Sequence, residues 1–296
     1  MKKTVDIKVN IKWSRYSPQW FFQAMPYILD KYKFITTPNH KFVLYHLSHR
    51  KRGDYKKIHY IIENHRPHMD SCDWAFSYDY DRDLKHPRHL RMPNYVRLGA
   101  GKNLIKGPRF SQHKIKSKNK FCAFVYSNNV SLRNRFFKAL SKYKLVDSPG
   151  KCCHNIPTIT QTLAQRGFRT PRKYREKIEF LNDYKFCIAF ENISSPGYTC
   201  EKIYHAMLAK CIPIYWGNPL VHRDFNTKSF INAHDGNWKT EKQMFDYLIH
   251  RIKQIDQNPD LYYKMLQEPW YHGNVLSKYV DPEIITKRFD LIFEDT

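Results

Sequence analysis

Two short apolar runs, residues 186–190 and 211–216, place the tightest constraint on how this chain can fold. Each run is short enough to form one buried strand. Between them lie a polar loop, residues 191–199, and a stretch over residues 200–209 whose apolar side chains fall on one face of a helix. A strand, a loop, a helix and a second strand form the unit that builds parallel sheets covered by helices. The sequence therefore predicts an α/β fold.

Polar residues follow the first of these predicted strands in a pattern that packing alone does not require. Glu201 and Lys202 fall in the first turn of the predicted helix. Asn192 and Tyr198 fall in the loop before it. Ligands of open α/β sheets bind beyond the carboxyl ends of the strands, and a helix N-terminus beside a lysine favours phosphate. An acidic first turn with a solvated lysine explains any one of these residues, but the set together favours a ligand site.

The order of residues in this segment resembles the donor-site signature of glycosyltransferase family 10, the α1,3/4-fucosyltransferases. The matching residues are Tyr184-Lys185-Phe186, Phe190-Glu191-Asn192, Tyr198, Glu201-Lys202, Ile212-Pro213-Ile214, Gly217, Phe225 and Ser229-Phe230-Ile231. Cys200 and Thr227 depart from the pattern, which usually has Thr and Pro at these places. The change at Cys200 leaves the choice of donor sugar open.

The resemblance extends towards the N-terminus, with coverage from about residue 58 to residue 290. The matching segments there are Tyr60-Ile61-Ile62-Glu63-Asn64, Asp73 to Asp79, Arg91-Met92-Pro93, Cys122 to Asn128 and Ser131 to Phe136. The first of these lacks the glycine that the family has before the glutamate, so the local backbone at Glu63 stays open.

The resemblance implies the GT-B architecture, in which two Rossmann-like α/β domains face a cleft. A length of 296 residues agrees, because it exceeds what one hydrophobic core usually serves. We expect an N-terminal acceptor-binding domain over residues 1–117 and a C-terminal nucleotide-sugar (donor) domain over residues 118–270. A C-terminal helix within residues 271–296 would return to the first domain. The lysine-rich residues 102–120 would link the two domains.

Local patterns predict the elements of both domains. Strands are expected over residues 5–13, 42–47, 58–63, 74–78, 121–126, 186–190 and 212–216. Helices are expected over residues 18–32, 131–143, 171–181, 200–209, 240–256 and 281–295.

The resemblance implies an inverting transfer of L-fucose from GDP-β-L-fucose to a GlcNAc or glucose hydroxyl of a glycan. The linkage would be α1,3, with α1,4 as the alternative. A single displacement needs one base for the proton of the acceptor hydroxyl, and the resemblance assigns Glu63. Tyr60, one strand repeat before it, would share its face and orient the acceptor. Without the resemblance, Glu63 is more simply an edge carboxylate paired with a lysine.

The donor would be held by side chains of the second domain. Arg133 and Lys202 are the candidates for the diphosphate, the arginine as a bidentate clamp and the lysine as a point charge. The resemblance gives Glu201 the ribose or fucose hydroxyls and the stabilisation of an oxocarbenium-like centre. Asn192 and Tyr198 would complete the pocket.

No metal and no cofactor are expected, since GDP-fucose is the donor substrate and the resemblance implies that side chains and a helix terminus replace a metal. Residues 79–83 do contain two overlapping Asp-x-Asp patterns. Arg82 inside them predicts a solvated loop rather than a metal site.

The chain has a formal net charge of +24, and basic residues cluster in two segments, residues 99–120 and residues 166–177. Such clusters attract polyanions, and the alternative is an evenly basic, soluble surface. No helix-turn-helix, zinc-finger or RNA-recognition signature is present, so no specific nucleic acid is expected. Peripheral contact with an anionic membrane that carries a lipid-linked acceptor fits the charge better.

The chain resembles the soluble microbial or viral members of the family rather than membrane-anchored animal ones. It has no run of roughly 20 apolar residues and no signal-peptide pattern. Its seven cysteines form no obvious disulfide framework. We therefore expect a cytoplasmic protein, with any membrane contact at the inner face, and an acceptor of the N-acetyllactosamine or GlcNAc type.

Two other functions stay open on the sequence alone. One is a GT-B transferase for another GDP- or UDP-sugar. The other is a basic, non-catalytic glycan- or polyanion-binding protein on the same fold. A panel of nucleotide sugars in a thermal-shift assay discriminates them, because a ligand at 100 times its dissociation constant adds about 2.7 kcal/mol of stability.

Overall fold

The chain forms two α/β units, each built around its own parallel sheet. The computed structural model describes residues 2–11, 17–46, 53–99, 101–107, 118–167 and 173–295. The first unit comprises Met1–Lys102, Ser195–Cys200 and Leu276–Thr296, and the second comprises Asn103–Ser194 and Glu201–Val275. The chain therefore passes from the first unit to the second after Lys102, whereas the sequence predicted the domain boundary at residue 117. Residues 108–117 of the expected linker lie outside the described residues.

Six parallel strands form the sheet of the first unit. They are β1 (Lys3–Asn10), β2 (Tyr32–Ile35), β3 (Phe42–Tyr45), β4 (Lys56–Tyr60), β5 (Trp74–Ser77) and β6 (His89–Arg91), in the order β2-β1-β3-β4-β5-β6. In β1 the buried residues alternate, whereas β3 and β5 are buried throughout. Continuous burial is typical of strands covered on both faces.

The helices of the first unit are α1 (Pro18–Phe22), α2 (Pro26–Lys31), α3 (Asp81–Leu84), α4 (Asn94–Arg97) and α11 (Pro282–Glu294). The prediction of one helix over residues 18–32 is wrong. Pro26 has no N–H to continue the helix, so the chain breaks there and restarts. Its last predicted residue, Tyr32, instead begins β2, where it pairs with Lys3 of β1.

Helix α11 lies in the aromatic core of the first unit. Phe289 packs against Phe22 and Phe76, with ring centroids 5.2 and 5.0 Å apart. Phe293 contacts Phe42 at 5.3 Å. The C-terminal segment thus groups with the N-terminal strands.

Five parallel strands form the sheet of the second unit, in the order β11-β10-β9-β7-β8. The strands are β7 (Lys120–Ala123), β8 (Val146–Asp147), β9 (Tyr184–Phe190), β10 (Ile212–Trp216) and β11 (Ile231–Asn232). The helices are α5 (Ser131–Ser141), α6 (Ile159–Ala164), α7 (Lys173–Leu181), α8 (Glu201–Leu208), α9 (Glu241–Gln257) and α10 (Pro259–Gln267). From the neighbours β7 and β9 the chain continues to opposite sides of the sheet, so the strand order reverses between them.

The strand, helix and strand predicted from the two apolar runs are confirmed as β9, α8 and β10. The strand predicted over residues 121–126 ends early, at Ala123. Its neighbour β8 has only two residues to pair with. Beyond it the backbone oxygen of Tyr126 accepts instead from the amide of Cys152, at 3.3 Å.

Lys118 and Lys106, both from the basic cluster 99–120, have their ammonium groups inside the second unit. Lys118 is buried, and its Nζ donates to the carbonyl oxygens of Asn182, Tyr184 and Ala209, each at 2.9 Å. Two of these carbonyls lie just beyond the ends of α7 and α8, where helices leave acceptors unsatisfied. The interpretation of a basic surface patch is therefore wrong for Lys118.

Lys106 has a similar structural role. Its Nζ donates to the carbonyl oxygens of Leu266, at 2.6 Å, and Glu268. The ammonium also lies 3.7 Å from the ring centroid of Trp270. Burial lowers the pKa of Lys106 to about 7. Arg109, Lys114 and Lys116 of the same cluster lie outside the described residues.

Replacing Lys118 by Met should destabilise the second unit. The change leaves three carbonyl oxygens without their charged donor, and one hydrogen bond to a charged group contributes about 1.5–3 kcal/mol net of its exchange with water. We expect a loss of about 3 kcal/mol, measured by chemical denaturation. The exposed Lys239 is the control, and Lys239→Met should change stability by less than about 0.5 kcal/mol. An unchanged Lys118→Met midpoint would mean that the three bonds contribute nothing.

Candidate functional site

The site of the second unit lies at the carboxyl ends of β7 and β9, where the strand order reverses. Open α/β sheets bind ligands at this kind of switch point. Tyr126, just beyond β7, fastens the end of β9. Its hydroxyl donates to the carbonyl oxygen of Ile188 at 2.9 Å and accepts from the amide of Phe190 at 2.7 Å.

Arg133 of α5 ties the same strand end to the loop that follows it. Its Nε donates to the carbonyl oxygen of Phe190 at 3.0 Å, and one terminal nitrogen donates to the side-chain oxygen of Asn192. The guanidinium lies 4.3 Å from the ring centroid of Tyr126 and is 1% exposed. The sequence proposed Arg133 as a diphosphate clamp. In the structure, at least two of its five N–H donors are bonded to protein acceptors, so the guanidinium positions the side chain of Asn192.

Glu191 and Lys202 form a buried ion pair at the centre of the site. Glu191 is 0% exposed, and its Oε2 lies 2.8 Å from Nζ of Lys202. The same ammonium lies 3.8 Å from Oε1 of Glu201, in the first turn of α8. Removing one partner of a buried pair leaves an uncompensated charge, which typically costs 3–5 kcal/mol, so Lys202 is firmly placed.

Gly217, after β10, allows the close approach that this arrangement needs. A Cβ at this position would overlap the Cβ and Cγ atoms of Glu191. Two hydrogen bonds hold the neighbouring backbones together: the amide of Glu191 donates to the carbonyl oxygen of Trp216, and Ser194 Oγ donates to that of Gly217, both at 2.7 Å. The loop after β9 is thereby fixed against the end of β10.

Opposing charges keep Glu201 ionised. Burial by itself raises the pKa of Glu201, but the ammonium groups of Lys202 and Lys177 more than offset burial and lower that pKa to about 2. His205 lies four residues along α8, on the same face as Glu201. Burial and the charge of Lys177 lower the pKa of His205 to about 3, so at neutral pH the imidazole is uncharged beside a carboxylate.

Tyr198 and Cys200 lie in the segment Ser195–Cys200, which groups with the first unit. Both are buried in one cluster with Ile61 and Tyr78, and the rings of Tyr198 and Tyr78 meet edge to face at 5.2 Å. The carbonyl oxygen of Gly197, in the same segment, accepts hydrogen bonds from both terminal nitrogens of the buried Arg91, each at 3.2 Å. The sequence proposed Tyr198 for the donor pocket, but the structure groups Tyr198 with the first unit. The other residues proposed to bind the donor lie together in the second unit: Arg133, Asn192, Glu201 and Lys202.

The strand predicted over residues 58–63 ends at Tyr60, so Glu63 lies in the loop after β4 and is exposed. Beyond the strand, the amide of Ile61 still donates to the carbonyl oxygen of Phe76, at 2.9 Å, whereas the amide of Ile62 lies 3.3 Å from Nδ1 of His46. Tyr60 is fully buried against Phe21, with ring centroids 5.2 Å apart. Burial raises the pKa of Tyr60 to about 12. The expectation that Tyr60 and Glu63 share one strand face is therefore wrong.

The interpretation of residues 79–83 as a solvated loop is wrong for Asp79 and Asp81, whereas Arg82 and Asp83 are exposed. Asp79 is buried, where it accepts from Ser77 Oγ at 2.9 Å and pairs with Arg66. Asp81 begins α3 and accepts from the amide of Arg91 at 2.7 Å. These carboxylates hold the connection between β5 and β6. In the part of the chain that the structure describes, no group of three or more His, Cys, Asp or Glu side chains is arranged to hold a metal ion.

The second basic cluster, residues 166–177, is divided among different roles. Arg166 pairs with Asp183 at 2.7 Å, and burial lowers the pKa of the partly buried Lys177. Arg169 and Arg172 lie outside the described residues. Within the described ranges no helix is long and apolar enough to span a bilayer.

Sequence reasoning missed three residues of the site: Glu191, His205 and Lys177. A signal existed for Glu191, because an acidic residue directly after a buried strand needs a cation and Lys202 follows in the next element. The spacing of His205 from Glu201 placed both on one helix face. Nothing local connected Lys177 with them, because it contributes from another helix.

Comparison with known proteins identifies the family. The sequence profile described as "Glycosyltransferase family 10 (fucosyltransferase) C-term" matches residues 115–276, which is more than half of the chain and includes the whole site around Lys202. The chain belongs to glycosyltransferase family 10.

Individual relatives agree with this assignment. A putative fucosyltransferase of Acanthamoeba polyphaga mimivirus is 38% identical over 158 residues, which are 53% of this chain and 25% of that protein. An alpha-(1,3)-fucosyltransferase of Helicobacter pylori is 31% identical over 245 residues, which are 72% of this chain and 47% of that protein. This chain thus matches between a quarter and about half of the length of these relatives.

A crystal structure of an alpha1,3-fucosyltransferase with GDP superposes on the family 10 chain with a TM-score of 0.75. The alignment is 27% identical and covers 100% of this chain and 92% of the other. Together with the two parallel-sheet units, this similarity confirms the GT-B fold class that the sequence implied.

Gly217→Ala should disrupt the site, because the added methyl group occupies the space of the Glu191 side chain. We expect destabilisation of about 1–3 kcal/mol, the usual cost of overpacking, measured by thermal unfolding. Gly107→Ala is the matched control, since a Cβ there meets no atom within 4 Å and stability should hardly change. Equal melting temperatures for the two variants would contradict the close packing of Gly217 on Glu191.

Proposed function

We propose that this family 10 chain is an inverting fucosyltransferase that moves L-fucose from GDP-β-L-fucose to a GlcNAc or glucose hydroxyl of a glycan. The linkage proposed is α1,3, with α1,4 as the alternative. The observation that carries the proposal is the Glu191–Lys202 pair at the switch point, beside the first turn of α8. Two relatives named for fucosyl transfer and a similar structure with GDP support the donor.

The diphosphate of the donor would bind at Lys202 and the N-terminal turn of α8. A helix N-terminus presents free N–H groups and a partial positive charge, which stabilise the charge that develops on the leaving diphosphate. Glu201 stays ionised above about pH 3, so it can only accept hydrogen bonds, which suits the hydroxyl groups of a sugar. Arg133 would contribute a fixed charge beneath the loop and hold Asn192 for the donor.

Glu63 would act as the base of the single displacement. Its carboxylate takes the proton of the acceptor hydroxyl while that oxygen attacks C1 of fucose from the face opposite GDP. The bond from C1 to the phosphate oxygen breaks in the same step, and GDP leaves with its electron pair. Inversion follows, because attack and departure occur on opposite faces. Its exposed position in the loop after β4 supports access to an acceptor.

The remaining parts of the proposal concern metal, acceptor and location. Lys202 and the terminus of α8 supply the positive charge that a metal otherwise contributes, so we propose turnover without metal. The acceptor proposed is a glycan of the N-acetyllactosamine or GlcNAc type, free or lipid-linked. We propose cytoplasmic residence, and the net charge of +24 supports peripheral contact with an anionic membrane face.

Variants of Glu63 and Lys202 should separate the base from the donor site. Glu63→Ala should lower kcat by about 10²–10⁴-fold, the usual contribution of a general base, with the Kd for GDP nearly unchanged. Lys202→Ala should lower turnover and also weaken GDP binding by about tenfold or more, the value of one charge-assisted bond. Rapid-quench kinetics and calorimetric titration with GDP measure the two quantities.

The control for the base is Glu283→Ala, which removes an exposed carboxylate elsewhere in the first unit. It should leave both quantities unchanged. Retention of most of the wild-type turnover by Glu63→Ala would overturn the assignment of the base.

The function itself is tested by GDP release from GDP-fucose in EDTA, with and without N-acetyllactosamine and GlcNAc acceptors. We expect release that the acceptor stimulates and that the chelator does not reduce. Nuclear magnetic resonance of the product should give an α-fucoside. Release from another GDP- or UDP-sugar alone would move the proposal to that donor, and binding without any turnover would contradict an enzyme.

A further inference from the structure

Side chains join two neighbouring loops at one edge of the first sheet. The loop after β4 carries Glu63 and Asn64, and the loop after β5 begins with Tyr78 and Asp79. Because β4 and β5 are adjacent parallel strands, both loops leave the same edge of the sheet. The hydroxyl of Tyr78 donates to Oδ1 of Asn64 at 3.0 Å. The residue directly after Glu63 is therefore tied to the end of the neighbouring strand.

A second contact holds the other end of the turn that carries Glu63. Within the turn, the amide of His65 donates to the carbonyl oxygen of Glu63 at 2.9 Å. Beyond it, Arg66 pairs with the buried carboxylate of Asp79. The side chain of Arg66 is more than half exposed, whereas Tyr78 is 3% exposed. Tyr78 is therefore the more rigid of the two attachments.

Tyr78 is itself fixed through its ring and through its backbone. The ring meets that of Tyr198 edge to face at 5.2 Å, in a buried cluster with Ile61 and Cys200. A Cβ on Gly197 would lie only 2.5 Å from the carbonyl oxygen of Tyr78. Gly197 also has a φ of 85°, which side chains disfavour, so this close approach requires glycine.

Arg91 holds Gly197 in this position. Its two terminal nitrogens donate to the carbonyl oxygen of Gly197, and its guanidinium lies 3.8 Å from the ring centroid of Tyr80. A guanidinium that stacks on an aromatic ring presents its N–H donors in a fixed plane. The backbone next to Tyr198 is thus held against Tyr78, and all of these residues belong to the first unit.

Tyr78 therefore contacts two segments to which a role in transfer has been assigned. One is the loop with Glu63, the proposed base, and the other is the segment Ser195–Cys200 with Tyr198, which was expected for the donor pocket. A general base must lie within about 2.6–3.2 Å of its proton, and a misplacement of about 1 Å can cost about 10²-fold in rate. An exposed loop does not provide this accuracy without support from buried groups.

We propose that Tyr78 is a positioning residue that holds the Glu63 loop, through Asn64, in a fixed place relative to the segment Ser195–Cys200. Its hydroxyl holds the loop and its ring holds the segment, so substitution can separate the two contacts. The inference rests on the proposed function for its effect on turnover, but the order of the loop can be measured without any activity.

The first test is kinetic. Tyr78→Phe keeps the ring and removes the hydroxyl, so kcat at saturating substrates should fall about tenfold while the Kd for GDP changes less than about twofold. Asn64→Ala removes the acceptor from an exposed position, without risk to the core, and should cause the same loss. Tyr78→Phe also removes a hydrogen bond with the Ser195 side chain. Agreement of the two variants would therefore assign the loss to Asn64, and an unchanged kcat in either would overturn the proposal.

The second test separates positioning from a purely structural role. Added to Glu63→Ala, Tyr78→Phe should lower turnover no further, because a misplaced base and a missing base lose the same contribution. Losses that multiply would mean that Tyr78 does not act through Glu63. The control is Tyr32→Phe, which removes a hydroxyl bonded to Asp290 on the edge strand β2. It should lower stability and leave kcat in place.

Hydrogen exchange of the His65 amide decides the positioning without activity. In Tyr78→Phe and in Asn64→Ala this amide should exchange about three- to tenfold faster, the value of one neutral hydrogen bond, and in Tyr32→Phe at the wild-type rate. Equal rates in all variants would overturn the proposal. If Glu63→Ala keeps most of its turnover, the proposed base is contradicted, and the exchange rates still decide whether Tyr78 fixes the loop.

Discussion

The buried ion pair between Glu191 and Lys202 is the interaction on which the rest of the site depends. A carboxylate with no solvent exposure must have a cation beside it, since an isolated buried charge is prohibitively costly. That requirement fixes the first turn of α8 against the end of β9 at 2.8 Å. The same arrangement requires glycine at position 217, because only a residue without a side chain leaves room for Glu191.

A parallel sheet supplies the place for this pair, and it explains why distant residues meet. The strand order reverses between β7 and β9, so the loops that leave them turn to opposite sides and open a crevice. Arg133 and Tyr126 enter it from the β7 side, and Asn192 enters it from the β9 side. Helix α7 packs on α8 beside this crevice.

The apolar patterns of the central elements were enough to predict β9, α8 and β10, because buried parallel strands and an amphipathic helix have distinct periods. They were not enough where a single residue or contact decides where an element ends or whether a side chain is buried. Pro26 divides a helix, and β4 ends at Tyr60, before Glu63. Lys118 looked like surface charge, yet it binds three carbonyl oxygens. A one-dimensional pattern does not record such long-range polar contacts.

The central claim is that Lys202, held by Glu191, receives the diphosphate of the donor. A crystal structure of the chain with GDP tests it most directly. The account predicts phosphate oxygens within hydrogen-bond distance of Lys202 Nζ and at the N-terminal turn of α8, with the bond from Lys202 to Glu191 retained. A nucleotide bound elsewhere in the second unit, or an Nζ that makes no contact with phosphate, would contradict it.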